Sequence, residues 1–260
     1  MYITTAGRTN QKMIEKAIHY SEKWNIPYIE RNKLTVKQLQ DRWKDDLIVV
    51  GKERLELYFF GEQEPFFFHP NSAMFRIKRL MKQEADPFIE ACGLELGSSF
   101  LDCTFGMGSD SIVASFVTGD RGNTIGIEWN RYIALIVKEG LKTWNTNIPE
   151  INAAMNRIEV IHGDHLHMLK QFQTNSFDCV YFDPMFDEHI TESNGIHVLS
   201  KVAMKTPFTT ELIEEAKRVA KKRVVLKDHY KSKRFSLFHF EQFVRKTSKF
   251  HYGVIHVNAH

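Results

Sequence analysis

The amino-acid sequence predicts an α/β protein whose larger part is a doubly wound, mostly parallel sheet. Three observations carry that expectation. From residue 99 onward, short apolar runs alternate with helical patterns. The runs are almost unbroken in apolarity, as strands covered on both faces require. Several of them end on an acid, at the carboxyl ends where open α/β sheets hold their ligands.

With 260 residues, 43% of them apolar, the chain can bury a substantial core as one large or two modest domains. No charged start leads into an apolar segment, and no stretch of ~18 apolar residues suits a membrane span. Cys92, Cys103 and Cys179 stand at unrelated spacings, which argues for reduced thiols rather than a disulfide framework. These features predict a soluble, cytoplasmic chain. A formal net charge of +3 and a pI of about 8.6 are compatible with a nucleic-acid partner without demanding one. A homo-oligomer is equally compatible.

Residues 1–88 read as a small α/β region. The apolar runs "YITTA", "IPYIE", "LIVVG", "LELYFF" and "PFFFHP" alternate there with the helical patterns "NQKMIEKAIHYSEKW" and "TVKQLQDRW". The aromatic runs are expected in the core, because strands favour such residues. One helix is expected over "NSAMFRIKRLMKQEADPFIEACG", capped by Asn71 or Ser72, perturbed near Pro87 and ended by Gly93. It bridges to the second region, residues 89–260.

In that region "SFLDCTF" is followed by a helix from about residue 109, then "NTIGIE", the helix "NRYIALIVKEGLKTW" and "RIEVIHGD". "SFDCVYFD", a helix near "TTELIEEAKRVAKK", "RVVLKD" and a last strand "KFHYGVIHV" complete the series. Acids mark the strand ends: Asp102, Glu128, Asp164 and Asp183. Any one of them could be an ordinary strand terminator or helix cap; four in succession point to a ligand groove.

The turn "DCTFGMGSDS" departs from the dinucleotide pattern G-x-G-x-x-G, since Ser111 takes the third glycine position and Asp102 stands where a pyrophosphate would be repelled. A ligand with one nucleoside and a cationic end suits it better. Gly106 and Gly108 allow close backbone approach, Asp102 favours an ammonium, and Glu128 is placed to accept from ribose hydroxyls. S-adenosylmethionine is such a ligand.

Residues 99–230 resemble a Rossmann-like class I S-adenosylmethionine-dependent methyltransferase, on "FLDCTFGMG", "IGIE", "HGD" and "DPMF" in that order. The resemblance implies that Asp102, Gly106 and Gly108 line the methionine and ribose side, that Glu128 holds the ribose and that Asp164 binds the adenine amino group. It sets Thr104, Asp110, Trp129, His165 and Asp183 in the same cofactor groove.

"DPMF" is similar to the Asp/Asn-Pro-Pro-aromatic motif of enzymes that methylate exocyclic amino groups. Such a nitrogen is a poor nucleophile, because its lone pair is delocalised into the ring. Asp183 and the carbonyl of Pro184 can accept its two hydrogens and aim the lone pair at the methyl group. Phe186 can stack on the base. The stretch most resembles bacterial enzymes that methylate guanine N2 in small-subunit ribosomal RNA, although Asp187 stands where those place a proline. Over nearly its full length the chain also resembles uncharacterised methyltransferase-like proteins of Gram-positive bacteria that share "TTAGRTN" and "EPFFFHPNSAMFRIKRL".

The expected substrate is therefore a nucleic-acid base, with adenine N6, a small molecule, and a non-catalytic RNA-assembly role as the alternatives. "FRIKRLMK" and "LKDHYKSKRF" supply phosphate-tracking candidates in Arg76, Lys78 and Arg79 and in Lys227, His229 and Tyr230, against the plainer reading of solvated basic faces. "TTAGRTN" and "IPYIERNK" carry a distant similarity to an RNA-binding α/β domain. No metal is expected: His162, His165 and His167 lack further ligands at zinc spacing. Cys103 and Cys179 sit inside apolar strands, where a small buried side chain is the plainer account.

Overall fold

A computed structural model describes residues 1–184 and 208–257. Phe186 and Asp187 lie outside the described residues. The chain opens with β1 (Tyr2–Thr5), α1 (Gln11–Trp24), α2 (Val36–Trp43), β2 (Leu47–Val50) and β3 (Leu55–Tyr58). β1 pairs parallel with β2, and β2 antiparallel with β3, in a three-stranded sheet. Asn10 caps α1 by accepting from Met13 N, and Met13, Ala17, Tyr20 and Trp24 are buried, at helical spacing. Thr35 and Gln38 form a capping box on α2. "IPYIE" and "PFFFHP" contribute only single bridges, Tyr28 to Ile3 and Phe66 to Leu57. Phe59, Phe66 and Phe68 are buried as expected of core aromatics, whereas Phe60 is exposed.

The long bridging helix divides into α3 (Asn71–Leu80) and α4 (Pro87–Cys92). Three residues force the break. Gln83 is left-handed at φ 63°, Asp86 is extended and caps Phe88 N, and Pro87 takes the first helical position, where its missing N–H costs nothing. Gly93, left-handed, ends α4 as predicted. Pro70, rather than Asn71 or Ser72, stands at the cap of α3.

The remaining elements are β4 (Ser99–Asp102), α5 (Ser109–Thr118), β5 (Asn123–Glu128), α6 (Arg131–Thr143), α7 (Pro149–Asn156), β6 (Glu159–His162), α8 (His165–Gln171) and β7 (Phe177–Phe182). After them come α9 (Thr210–Val219), β8 (Ala220–His229), α10 (Arg234–Leu237), β9 (Glu241–Phe243) and β10 (Phe250–His256). The strands form one sheet in the order β6-β5-β4-β7-β8-β10-β9. The first five are parallel, while β10 runs antiparallel to both β8 and β9. Between β8 and β10 the chain offers only a four-residue helix and a hairpin strand, which cannot carry a parallel crossover.

Successive strand residues feed two cores. Phe100, Cys179, Tyr181 and Val225 face the α3–α7 side, which shares its core with Ile3, Ile48 and Leu57 of the small sheet. Leu101, Val180, Phe182, Val224 and Leu226 face α8 and α9. That division explains the unbroken apolarity of these strands: both faces are buried, so neither needs polar residues. No helix among the described residues is long and apolar enough to cross a membrane.

Candidate active site

The strand order reverses at β4. From it the chain winds outward through β5 and β6, and then returns to β7 on the other side. The carboxyl ends of β4, β5, β6 and β7 therefore surround one crevice, the usual ligand position of such a sheet.

Phe105 shapes the turn after β4. Its ring lies so close to Gly126 and Gly108 that a Cβ would stand 1.9 Å and 2.6 Å from ring carbons. Glycine at both positions seats the ring, and Gly108, at φ 73°, starts α5. Gly106 is also left-handed, at φ 53°, yet a Cβ there would meet only Thr104 O, at 3.9 Å. The space over Gly106 is open, a cradle in which a ligand can approach the backbone.

Two carboxylates flank that cradle. Glu128 accepts from Gly106 N at 2.9 Å through Oε2 and from Asn130 N at 2.8 Å through Oε1. Burial pushes its pKa up to about 7, and the two N–H groups only partly offset that. Asp102 is buried at the end of β4, where Oδ1 accepts from Thr104 N at 3.0 Å and Oδ2 from Ser111 Oγ at 2.7 Å. Burial likewise pushes it up to about 7, against the pull of Ser111 and Thr104. Both groups accept only neutral donors, and both gain from a cationic or hydroxyl-rich ligand. Ser111, first noted as a missing glycine, is thus a working part of the turn.

At the end of β6, Asp164 caps α8, its Oδ1 accepting from His167 N at 2.8 Å. His165 is buried beside it, its pKa lowered by burial, and its Nε2 has no hydrogen-bond partner among the described residues. A buried orphan of this kind is costly unless a ligand meets it. Trp129, next to Glu128, is half exposed and free to stack. Open backbone at Gly106, two desolvated carboxylates and an orphan imidazole nitrogen form a donor and acceptor set suited to a nucleoside with a positively charged tail. Among the described residues no cluster of three or more His, Cys, Asp or Glu could hold a metal ion.

Asp183 stands at the end of β7, across the switch point from Asp102. Its N–H donates to Thr104 Oγ1 at 2.6 Å, and Thr104 N in turn donates to Asp102. The groove and the "DPMF" aspartate are therefore tied through one threonine. Lys227 Nζ, from β8, donates to Asp183 Oδ2 at 2.6 Å and lies 3.3 Å from Asp110 Oδ2. Burial pushes the Asp183 carboxyl up more than Lys227 pulls it down.

The side chain of Asp110 turns into this network. Its Oδ1 pairs with Arg76, and its Oδ2 accepts from Tyr181 OH at 2.8 Å. Arg76 also grips both oxygens of Asp86, at 2.8 and 2.9 Å. Burial would raise Asp110, but Lys227 and Arg76 hold its carboxyl far below the usual range. Two cations read as phosphate trackers, Arg76 and Lys227, are thus internal ion-pair partners. Lys78 and Arg79 are exposed, Arg79 pairing with Glu84, and Tyr230 is exposed just past β8 with His229 half-buried beside it.

Comparison with known proteins bears on the family and the fold. The SAM-dependent methyltransferase family model SAM_MT matches residues 28–251. The uncharacterised protein YpiP of Bacillus subtilis (strain 168) is 49% identical over 97% of this chain and 98% of its own length. Ribosomal RNA small subunit methyltransferase J of Dechloromonas aromatica (strain RCB) is 27% identical over 70% of this chain and 76% of its own. The protein of that name from Buchnera aphidicola subsp. Schizaphis graminum is 30% identical, over 50% of this chain and 51% of its own. In fold, the chain is similar to the SAM-dependent methyltransferase NGO1261 of Neisseria gonorrhoeae, with a TM-score of 0.66, 16% identity, and 99% and 96% of the two chains covered.

Proposed function

We propose that this chain, which belongs to the SAM-dependent methyltransferase family, methylates an exocyclic amino group of a nucleic-acid base, with guanine N2 of ribosomal RNA the first candidate. The family's cofactor, S-adenosylmethionine, supplies when bound a methyl group on a sulfonium centre. Glu128 would hold its ribose, Asp102 and the Gly106 backbone its amino-acid side, and Asp164 with His165 its adenine.

The observation that carries the base-amine reading is the anchoring of Asp183. Backbone and side chain are both fixed, by Thr104 Oγ1 and Lys227, at a point joined to the groove, while Oδ1 accepts from none of the described residues. An oxygen so placed can take one amine hydrogen and orient the nitrogen lone pair, and the Pro184 carbonyl follows it immediately in the chain. The work of the protein is alignment and electrostatic stabilisation, with no covalent step on the enzyme. Ribosomal RNA is favoured by the small-subunit ribosomal RNA methyltransferases among the relatives and by "DPMF". Exposed Lys78, Tyr230, Lys231 and Lys233 stand on the two segments that flank Asp110 and suit a phosphate backbone. The test compares modified nucleosides in ribosomal RNA from cells with and without the protein. Loss of N2-methylguanosine at one site is the expected result; loss of N6-methyladenosine would transfer the activity to adenine, and an unchanged profile would remove ribosomal RNA as substrate.

The carboxylates predict a pH signature for cofactor binding. Burial pushes the Asp102 and Glu128 carboxyls up to about 7, above their unfolded values. Between about pH 4 and 7 the folded state therefore binds more protons than the unfolded one, and these two groups lower stability as pH rises through that window. Hydrogen-bond donors and positive charge in the groove favour the ionised forms, so binding releases protons and tightens as pH rises from about 6 to 8. Calorimetry in buffers of different ionisation enthalpy measures that release. Glu128→Gln should remove part of it; a pH-independent affinity with no proton release would contradict the assignment of both groups.

A further inference from the structure

Lys227 belongs to a chain of charges that runs from the N-cap of α4 to the end of β7. Asp86, Arg76, Asp110, Lys227 and Asp183 follow one another in direct ion pairs. Three carboxylates oppose two cations there, which leaves one negative charge over. Burial would lower the Lys227 ammonium, but Asp110 and Asp183 lift it well above the ordinary lysine range. A cation held in this way does not reach out to a phosphate, since leaving would strand the buried Asp110 and the part-buried Asp183.

The geometry points to Lys227 as a positioning residue: by pinning Asp183 Oδ2 it fixes the plane of the carboxylate and leaves Oδ1 as the oxygen offered to the acceptor amine. This rests on the reading of Asp183 as the group that orients the acceptor. The pinning needs an ionised Asp183, and the charged and titratable groups facing it come from five elements. They are Lys227 and Asp228 on β8, Asp110 on α5, Asp102 on β4, Tyr181 on β7 and Tyr252 on β10. Burial and Asp110 oppose ionisation, and Lys227 is the cation in contact that favours it. Without the ammonium, the carboxyl would take a proton at a higher pH and be free to rotate.

The test is single-turnover transfer of labelled methyl from S-adenosylmethionine to ribosomal RNA of a strain lacking the protein, followed against pH. Lys227→Met should slow it at neutral pH by about 10- to 100-fold, the scale of a misplaced transition-state partner. The acid limb should move up by about one pH unit or more. Asp110→Asn should move that limb the opposite way, because it removes an anion facing Asp183 and leaves Lys227 to Asp183 alone. In an Asp183→Ala background, Lys227→Met should cost nothing further. A full additional loss in that background, or an acid limb that stays in place, overturns the positioning role while leaving that of Asp183 intact. A wild-type rate for Asp183→Ala overturns both. Should Lys227→Met lose the fold, judged by cofactor binding in calorimetry, Asp110→Asn decides alone, and a limb that stays or moves up overturns the inference.

Discussion

Single-turnover methyl transfer by Asp183→Ala is expected to run about 10²-fold or more below wild type, as when one preorganised hydrogen-bond partner of a transition state is removed. Asp183→Asn keeps an acceptor oxygen and should retain part of the rate. Cofactor affinity should barely change in either, because Asp102 keeps Thr104 N and Ser111 Oγ, and Glu128 keeps Gly106 N and Asn130 N. The Ala variant does not strand Lys227, which retains Asp110 at 3.3 Å. The loss is therefore expected in rate rather than in folding. Quenched-flow methyl transfer beside a cofactor titration separates the two, and a wild-type rate in Asp183→Ala would reduce "DPMF" to a strand-ending turn.

The largest effect on stability is expected at Arg76. Its guanidinium pairs with Asp86 and Asp110 and lies over the Phe88 ring, 5.1 Å from the centroid. Arg76→Met keeps much of the packing but leaves two largely buried carboxylates without their shared cation, a change worth about 3–5 kcal/mol. Asp86 also caps α4 through Phe88 N at 3.0 Å, so that helix should loosen first. The sign with pH follows from the depressed carboxyls. Asp86 and Asp110 are held below their usual range in the folded protein, so their contribution is present above the unfolded pKa of about 4 and fades as pH falls below it. The gap between wild type and variant should accordingly be widest near neutrality and narrow in acid. Urea unfolding near pH 7 and in mild acid measures both; a loss under about 1 kcal/mol at neutral pH, the worth of an exposed pair, would show that the network is no stability element.

Why some of this was legible in the sequence and some was not follows from distance along the chain. Strand ends are local signals. In a parallel sheet buried on both faces an acid cannot stand mid-strand, so Asp102, Glu128, Asp164 and Asp183 announced the crevice. The ion-pair chain is not local: its partners stand 34, 117 and 44 residues apart for Arg76–Asp110, Lys227–Asp110 and Lys227–Asp183. A basic run such as "FRIKRLMK" shows its charges but not which side of the helix they take. Asp110 was drawn to the cofactor groove by its nearness to the glycine turn, yet it lies on the first turn of α5, whose rotation carries the side chain toward Tyr181 and Lys227. β9 has only three residues, too few to show a period, and Pro87 marks a perturbation of the bridging helix without showing that it becomes two separate helices. The position of Tyr181 and Tyr252 beside Asp110 and Lys227 emerges only from the paired register of β7, β8 and β10.

The placement of β10 between β8 and β9 has a consequence for synthesis. Every strand carrying a groove acid is made before residue 250, yet β10, which covers the β8 edge, is made after all of them. Until β10 pairs with it, β8 presents along Arg223–His229 seven residues of uncovered backbone edge, a template for pairing with another chain. An interrupted product ending short of Phe250 would contain all four groove acids and still be prone to aggregate. Pairing of β10 with β8, rather than completion of the cofactor groove, is what closes this edge.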